Sequence, residues 1–478
     1  MPEFRRLIHT SSESYADRSF LRTPSSGVKF RELGIAINRV SRNLIEHGVS
    51  TADRVGLVAQ NSIETVITML SLINIGAVAC PISVRFPELM IETITRKLNV
   101  KVIATDRPAH LPENIPTISV SEINEQEPSE KGNDLPEDPS RIATVMLTSG
   151  STATPKAVAH SFDQHYCNAD GANKNIPFTP GDTWLLSLPL YHVGGLAVVF
   201  RSLLGGGTVI IPEQSQSLIG NIKRFGITHL SVVNTQLRGL LKSETAPNAL
   251  DSLKAVIVGG GPQDNTLLRD ARQNGLPIAT TYGLTEMGSM VTCSKPISDP
   301  EADTHSGRLL EHRELSILDN GELAVRGDCL MSGYLEGDKR SIPLDSDGWF
   351  HTGDLGRITD SGELELIGRR DNMFISGGEN IQPELIEMEL LKIEGIEEVI
   401  VVPVADQKFG ERPVAFVRYD TDPTYTLDSL AEFLRDSLPR FMIPIRFHPW
   451  PRALQKAGLK VSRTRLKQIA REQADLTA

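Results

Sequence analysis

The stretch LTSGSTATPKAVAH, Leu147 to His160, sets five hydroxyl residues, one glycine and one lysine between two apolar runs. Thr148, Ser149, Ser151, Thr152 and Thr154 offer hydroxyl donors to phosphate oxygens. The backbone around Gly150 offers N–H groups, and Lys156 adds a point charge. The pattern is not a P-loop, which requires G-x-x-x-x-G-K-[ST]. Counting from Gly150, the sixth position is Pro155, and Lys156 is followed by Ala157. Taken alone, a solvated loop joining a strand to a helix near Ser161 is the simpler reading.

Other segments carry chemistry of a matching kind. TTYGLTEMGS (280–289) places an aromatic, a glycine turn and a Thr-Glu pair directly after a strand end, where open α/β sheets bind ligands. DGWFHTGDLG (347–356) offers Asp354 in a glycine-flanked turn, suited to gripping two vicinal hydroxyls. GRRDNMFISGGENIQPELIE (368–387) joins two domains through charged residues and a glycine-rich loop. LPLYHVGGL puts His192 at a strand end, before a helix predicted from Gly194 to Leu204. Arg201 lies on that helix within GLAVVFRSLLGGG, where a charge is costly without a partner. It either snorkels to solvent or meets an anion. Each residue also has a plain alternative: a helix-end carboxylate for Glu286, a turn residue for Asp354, a core aromatic for Tyr282, a strand-to-helix turn for the glycines 259–261, a solvated charge for Lys460.

These residues need elements to position them. RVGLVA (54–59), KVIAT (101–105), IATVML (142–147), WLLSL (184–188), TVIIP (208–212), HLSVV (229–233) and KAVIVG (254–259) read as buried strands. Helical patterns at 62–75 and 262–275 fall between them. The alternation predicts an α/β fold of mostly parallel sheets with helices on their faces. The acidic stretch from Glu122 to Ser140 reads as an exposed linker loop. From about Ser306, Asn-Gly and Ser-Gly between alternating runs signal hairpins and an antiparallel lobe. The expected organisation is a large domain over 1–370, with a β lobe at about 306–370, and a small mobile α+β domain over 371–478.

Composition excludes other classes. The 478 residues carry a net charge of −11, unsuited to nucleic acid or to anionic lipid. The most apolar stretch, Val66–Ile82, is broken by Thr68, Ser71, Asn74, Gly76 and Pro81, which argues against a membrane span. The N-terminus has no apolar block of the signal-peptide kind. Cys80, Cys167, Cys293 and Cys329 lack disulfide or zinc spacing, so reduced, buried thiols in a cytoplasmic protein are expected.

In this order, the phosphate-loop, YGLTE, TGDLG and GRRDN segments resemble the adenylate-forming family of acyl- and aryl-CoA ligases, luciferases and peptide-synthetase adenylation domains. LLSLPLYHVGGL (185–196), ISGGENIQP (375–383), VVPVADQKFGERPVAFV (401–417) and AGLKVSRTRLK (457–467) extend the likeness over nearly the whole chain. The resemblance implies ATP, Mg2+ and coenzyme A as reactants. It also implies that Thr148, Ser149, Gly150, Ser151, Thr152 and Lys156 wrap the phosphates, and that Gly259, Gly260, Tyr282 and Gly283 enclose the adenine. Thr285 and Glu286 would meet the α-phosphate and its magnesium. Asp354 would hold the ribose, Arg369 would reinforce the nucleotide, Asp371 would be the hinge, and Lys460 would bridge ATP and the acid. His192 would line the acid pocket, and Arg201 would meet a second, spectator carboxylate. Ala153 and Ala157 stand where members often carry Gly, and Gly458 lies one residue earlier than usual before the lysine. An acyl-CoA ligase for another acid and a non-catalytic nucleotide-binding protein of the same fold stay open. So does a homo-oligomer. A peptide-synthetase module is disfavoured, since no carrier domain follows Ala478.

Overall fold

The structure, a computed structural model, describes residues 3–106, 111–112, 114–128, 138–148, 155–213, 215–243, 250–261, 263–419, 427–435, 437–451, 454 and 463–475. All seven apolar runs singled out in the first two-thirds of the chain form strands, and they divide between two sheets. In the first sheet a parallel block runs Ser19–Arg22, Thr208–Ile210, Thr183–Leu185, His229–Val232, Ala255–Val258, Ile278–Leu284 in spatial order. Antiparallel strands flank it, Gly27–Lys29 on one side, Ser289–Cys293 and Arg308–Leu309 on the other. The second sheet has a parallel block of Thr117–Ile118, Val102–Ala104, Arg54–Leu57, Val78–Pro81 and Ile142–Thr148. All four residues of His229–Val232, Ala255–Val258 and Val78–Pro81 are buried, as strands covered on both faces must be.

The helix Ile63–Asn74 explains the broken apolar run. Ser62 caps it by accepting from the Thr65 N–H, and every residue but Glu64 is buried. Its polar members find partners inside the protein: Thr68 accepts from Asn124, Ser71 donates to the Ile37 carbonyl, and Asn74 donates to Ser41. A helix buried all round with satisfied polar groups is a core element. Among the described residues no helix is long and apolar enough to cross a membrane.

Two expectations fail in instructive ways. The loop after Thr148 does not lead from a strand to a helix. Lys156–Ser161 is itself a strand, antiparallel to Ile142–Thr148 with Thr148 opposite Lys156, so the hydroxyl-rich segment is a hairpin connection. Five consecutive buried residues, Ala157 to Ser161, take a central position there, paired on both edges. The helix follows at Phe162, with Ser161 and Gln164 forming its capping box. The expected linker loop also starts too early. Residues 122–125 complete the helix Val120–Glu125, with Ile123 and Asn124 buried. Residues 129–137 lie outside the described residues.

The hairpin signals near Ser306 are answered by an antiparallel sheet of Glu314–Ile317, Glu322–Arg326, Phe350–Ile358 and Leu364–Arg369. The strands Gly333–Glu336 and Lys339–Ser341 leave that lobe and extend the second sheet beside Lys156–Ser161. Beyond it, the long hairpin Ile396–Asp406 and Gly410–Tyr419 centres a last sheet with Phe374–Ser376, Glu379–Ile381 and Arg446–Pro449. Its apolar cores pack against the helices Pro383–Leu390, Leu427–Arg435 and Arg463–Asp475. The four cysteines are buried free thiols.

His160 and His229 are buried, and burial pushes both down to about 4. Both are therefore neutral in the folded chain and protonate more readily when unfolded, so stability is full above pH 6.5 and falls as pH drops from there towards 4. Each histidine should cost about 2 kcal/mol of stability between pH 8 and pH 5. Urea unfolding at the two pH values measures the loss, and His160→Phe should remove about 2 kcal/mol of it.

Candidate active site

Parallel neighbours in the first sheet share one edge for their C-terminal ends. Thr183–Leu185, His229–Val232, Ala255–Val258 and Ile278–Leu284 are such neighbours, so the segments after them gather on one rim. Gly259 and Gly260 leave the rim beside Thr281. A Cβ at Gly259 would lie 2.6 Å from Thr281 Cγ2, and Gly260 takes φ +81°. Gly283 sits at a bulge where a Cβ would meet the Ser289 carbonyl at 2.1 Å. Only glycine permits these close approaches.

Tyr282 is buried, and its hydroxyl donates to Asp354 Oδ2 at 2.8 Å. Arg369 Nη1 donates to Asp354 Oδ1 at 2.9 Å, the two residues standing opposite each other in adjacent strands. Asp371 lies 3.6 Å from the same guanidinium. Burial, and then the Asp354 charge, pushes the Tyr282 phenol well above its ordinary value, so it stays a proton donor. Below this cluster sits Glu322, 1 % exposed. It accepts from the Gly353 N–H at 3.0 Å and from Arg370. One buried carboxylate thus braces both the turn that presents Asp354 and the segment that carries Asp371.

Glu286 occupies a single 3-10 turn, Thr285–Met287, at the end of its strand. Tyr334 donates to Glu286 Oε1 at 2.7 Å, and the Met331 N–H donates to the Glu286 carbonyl at 2.7 Å. The Lys156 ammonium stands 5.0 Å from the centre of the Tyr334 ring, within cation–π range. Burial and Glu286 push the Tyr334 phenol up, so it too stays protonated.

His192 is exposed and caps the helix Val193–Gly205, which exceeds the predicted helix by one residue at each end. The loop before it is braced by Asn61, which donates to the Leu186 and Leu188 carbonyls and accepts from the Leu190 N–H. Arg201 does not snorkel: it is 1 % exposed. Nε donates to Asn173 Oδ1 at 2.8 Å, Nη2 donates to the Ala172 and Ile176 carbonyls, and the guanidinium lies 4.3 Å from the Trp184 ring. Nη1 makes no hydrogen bond to a described residue. Burial lowers the Arg201 pKa to about 9, and no carboxylate among the described residues pairs with it. A buried guanidinium without a carboxylate partner is costly.

Thr148 and Lys156 bracket the hairpin connection, whereas Ser149, Gly150, Ser151 and Thr152 lie outside the described residues, as does Lys460. The sequence reading missed Asn61, Glu322 and Tyr334. Asn61 has no local signal, and Glu322 follows the Asn-Gly of a hairpin with nothing local to mark its role. Tyr334 stood in MSGYLEG, apart from every charged motif. The oxygen donors here suit a hard divalent cation carried in with a polyphosphate. Glu286 Oε1 is held by Tyr334, and its second carboxylate oxygen makes no hydrogen bond to a described residue.

Comparisons with known proteins identify the family. Residues 8–335 match the family of AMP-binding enzymes, and residues 385–458 match the AMP-binding enzyme C-terminal domain. The chain belongs to the AMP-binding enzyme family. It is 34 % identical, over 95 % of both chains, to 2-succinylbenzoate–CoA ligase of Escherichia coli strain K12. Among solved structures it resembles a variant of E. coli MenE with bound OSB-AMS, with TM-score 0.85, 30 % identity and 98 % of each chain covered. It also resembles o-succinylbenzoate coenzyme A synthetase (MenE) of Bacillus subtilis in complex with ATP and magnesium ion. That match has TM-score 0.87, 28 % identity, and covers 96 % of this chain and 99 % of the other.

Replacing Asn61 by Ala leaves the Leu190 N–H and two carbonyls of the loop unpartnered. We expect a loss of about 1–3 kcal/mol in urea unfolding, with the fold retained by circular dichroism.

Proposed function

We propose that this protein is a 2-succinylbenzoate–CoA ligase. It joins o-succinylbenzoate to coenzyme A through an acyl-adenylate, at the expense of ATP and with release of AMP and pyrophosphate, in menaquinone biosynthesis. Full-length similarity to ligases of that name supports the reaction. The observation that carries the choice of acid is Arg201. The substrate has two carboxylates, one activated and one spectator. A buried guanidinium with Nη1 unpaired among the described residues, on the helix capped by His192, fits the spectator. A fatty-acid ligase has no use for that charge.

The roles follow from charge and reach. Tyr282, Gly259, Gly260 and Gly283 enclose the adenine, and Asp354 takes the ribose hydroxyls with Arg369 beside it. Thr148, Ser149, Gly150, Ser151, Thr152 and Lys156 hold the phosphates, and Thr285 faces the α-phosphate. Attack of a carboxylate on the α-phosphate brings two negative groups together in line. Lys156 and Lys460 offset that repulsion, with Lys460 bridging the acid and the nucleotide. Magnesium held at Glu286 supplies further charge neutralisation when bound. His192 lines the acid pocket. The adenylate then carries a good leaving group, so attack by the CoA thiol needs mainly positioning and exclusion of water. Residues 1–370 form the AMP-binding domain and 371–478 a mobile domain. Asp371 is the pivot that withdraws Lys460 and brings the SGGEN loop forward for the second step. The buried free thiols fit the reducing cytoplasm.

Purified protein with o-succinylbenzoate, Mg·ATP and CoA should yield AMP and a thioester in equal amounts. No AMP with that acid, but AMP with another acid of a panel, would replace the substrate and keep the class. Arg201→Leu should raise the KM for o-succinylbenzoate about 10- to 100-fold with the KM for ATP unchanged, and Arg201→Lys should recover part of the loss. Lys460→Ala should slow adenylate formation about 100-fold or more while thioester formation from supplied adenylate survives. Equal loss in both steps would refute that assignment.

A further inference from the structure

Tyr334 belongs to none of the segments that carry the reaction, yet it touches two of them. Its hydroxyl donates to Glu286 Oε1 at 2.7 Å, and its ring lies 5.0 Å from the Lys156 ammonium. Its backbone is fixed independently of either contact. The strand Gly333–Glu336 leaves the antiparallel lobe and pairs with Lys156–Ser161, placing Tyr334 opposite Val158, two residues after Lys156. The same segment grips Glu286 a second time, through the Met331 N–H and the Glu286 carbonyl.

A glutamate side chain turns about three bonds, and a cation site gains from a ligand already held in one of its many rotamers. The phenol takes one carboxylate oxygen and leaves the other directed away from it. The ring face, in turn, restrains the lysine through its cation–π contact. We propose that Tyr334 is a positioning residue that sets the Glu286 carboxylate for the cation delivered with ATP and aligns Lys156 beside it. This inference rests on the reading of Glu286 as the metal-facing carboxylate. Tyr334 touches no reacting atom. It sets the geometry of two groups that do.

The test is calorimetric titration of ATP into the full chain, with magnesium and with EDTA, for Tyr334→Phe and Glu286→Gln. Phe keeps the ring over Lys156 and removes only the hydroxyl. ATP affinity in EDTA should match the unaltered protein, and the gain in affinity on adding magnesium should shrink about tenfold. In the adenylation assay the magnesium concentration for half-maximal rate should rise about tenfold, and saturating magnesium should restore most of the rate. Thioester formation from supplied adenylate should be unaffected. A shift in Glu286→Gln with none in Tyr334→Phe overturns the proposal alone. No shift in either variant overturns the metal-facing reading as well. A loss in Tyr334→Phe that is equal in both half-reactions and independent of magnesium would mark the hydroxyl as merely structural and overturn the proposal.

Discussion

One carboxylate ties the parts of this molecule together. Asp354 accepts from Tyr282 at the rim of the first sheet and from Arg369 at the end of the antiparallel lobe. The first partner comes from the parallel βα core, the second from the chain just before Asp371. The turn that presents it is braced from behind by Glu322, whose burial is tolerable because an N–H and the Arg370 guanidinium occupy its two oxygens. The two oxygens of Asp354 each accept from a donor, Tyr282 on one and Arg369 on the other. Under the proposed function a ribose meets a carboxylate whose orientation is set before binding.

The same economy of buried charge holds around Arg201. Arg201 is enclosed by helix-end carbonyls, an asparagine and an indole face, none of which carries a full negative charge. Carbonyl dipoles satisfy most of its N–H groups, so the helix forms without ligand. Burial, with Arg313 nearby, lowers its pKa, and no carboxylate among the described residues pairs with it. A bound carboxylate would supply the counter-charge.

Much of this was legible in the sequence because buried parallel strands and glycine-marked turns leave local signatures. The apolar runs became strands, and Tyr282, Asp354 and Arg369 came together as their motifs suggested. What failed was long-range pairing. KAVAHS follows a proline and begins with a lysine, and nothing local distinguishes it from the entry to a helix. Its strand character comes from Ile142–Thr148 on one edge and Gly333–Glu336, almost two hundred residues away, on the other. The same excursion brings Tyr334 to Glu286. Asn61 was likewise invisible, since its partners lie at 186–190. Residues that do chemistry advertise themselves by type. Those that hold them are known by their neighbours, which only the fold supplies.

Under the proposed function Asp354 reads the ribose while tying two lobes together. Affinities of AMP, 2′-deoxy-AMP and 3′-deoxy-AMP, measured for the unaltered chain and for Asp354→Asn, address it most directly. The unaltered chain should bind each deoxy nucleotide about tenfold more weakly than AMP, and most of that difference should vanish in Asp354→Asn. Equal affinities in the unaltered chain, or a difference that persists unchanged in Asp354→Asn, would contradict the account.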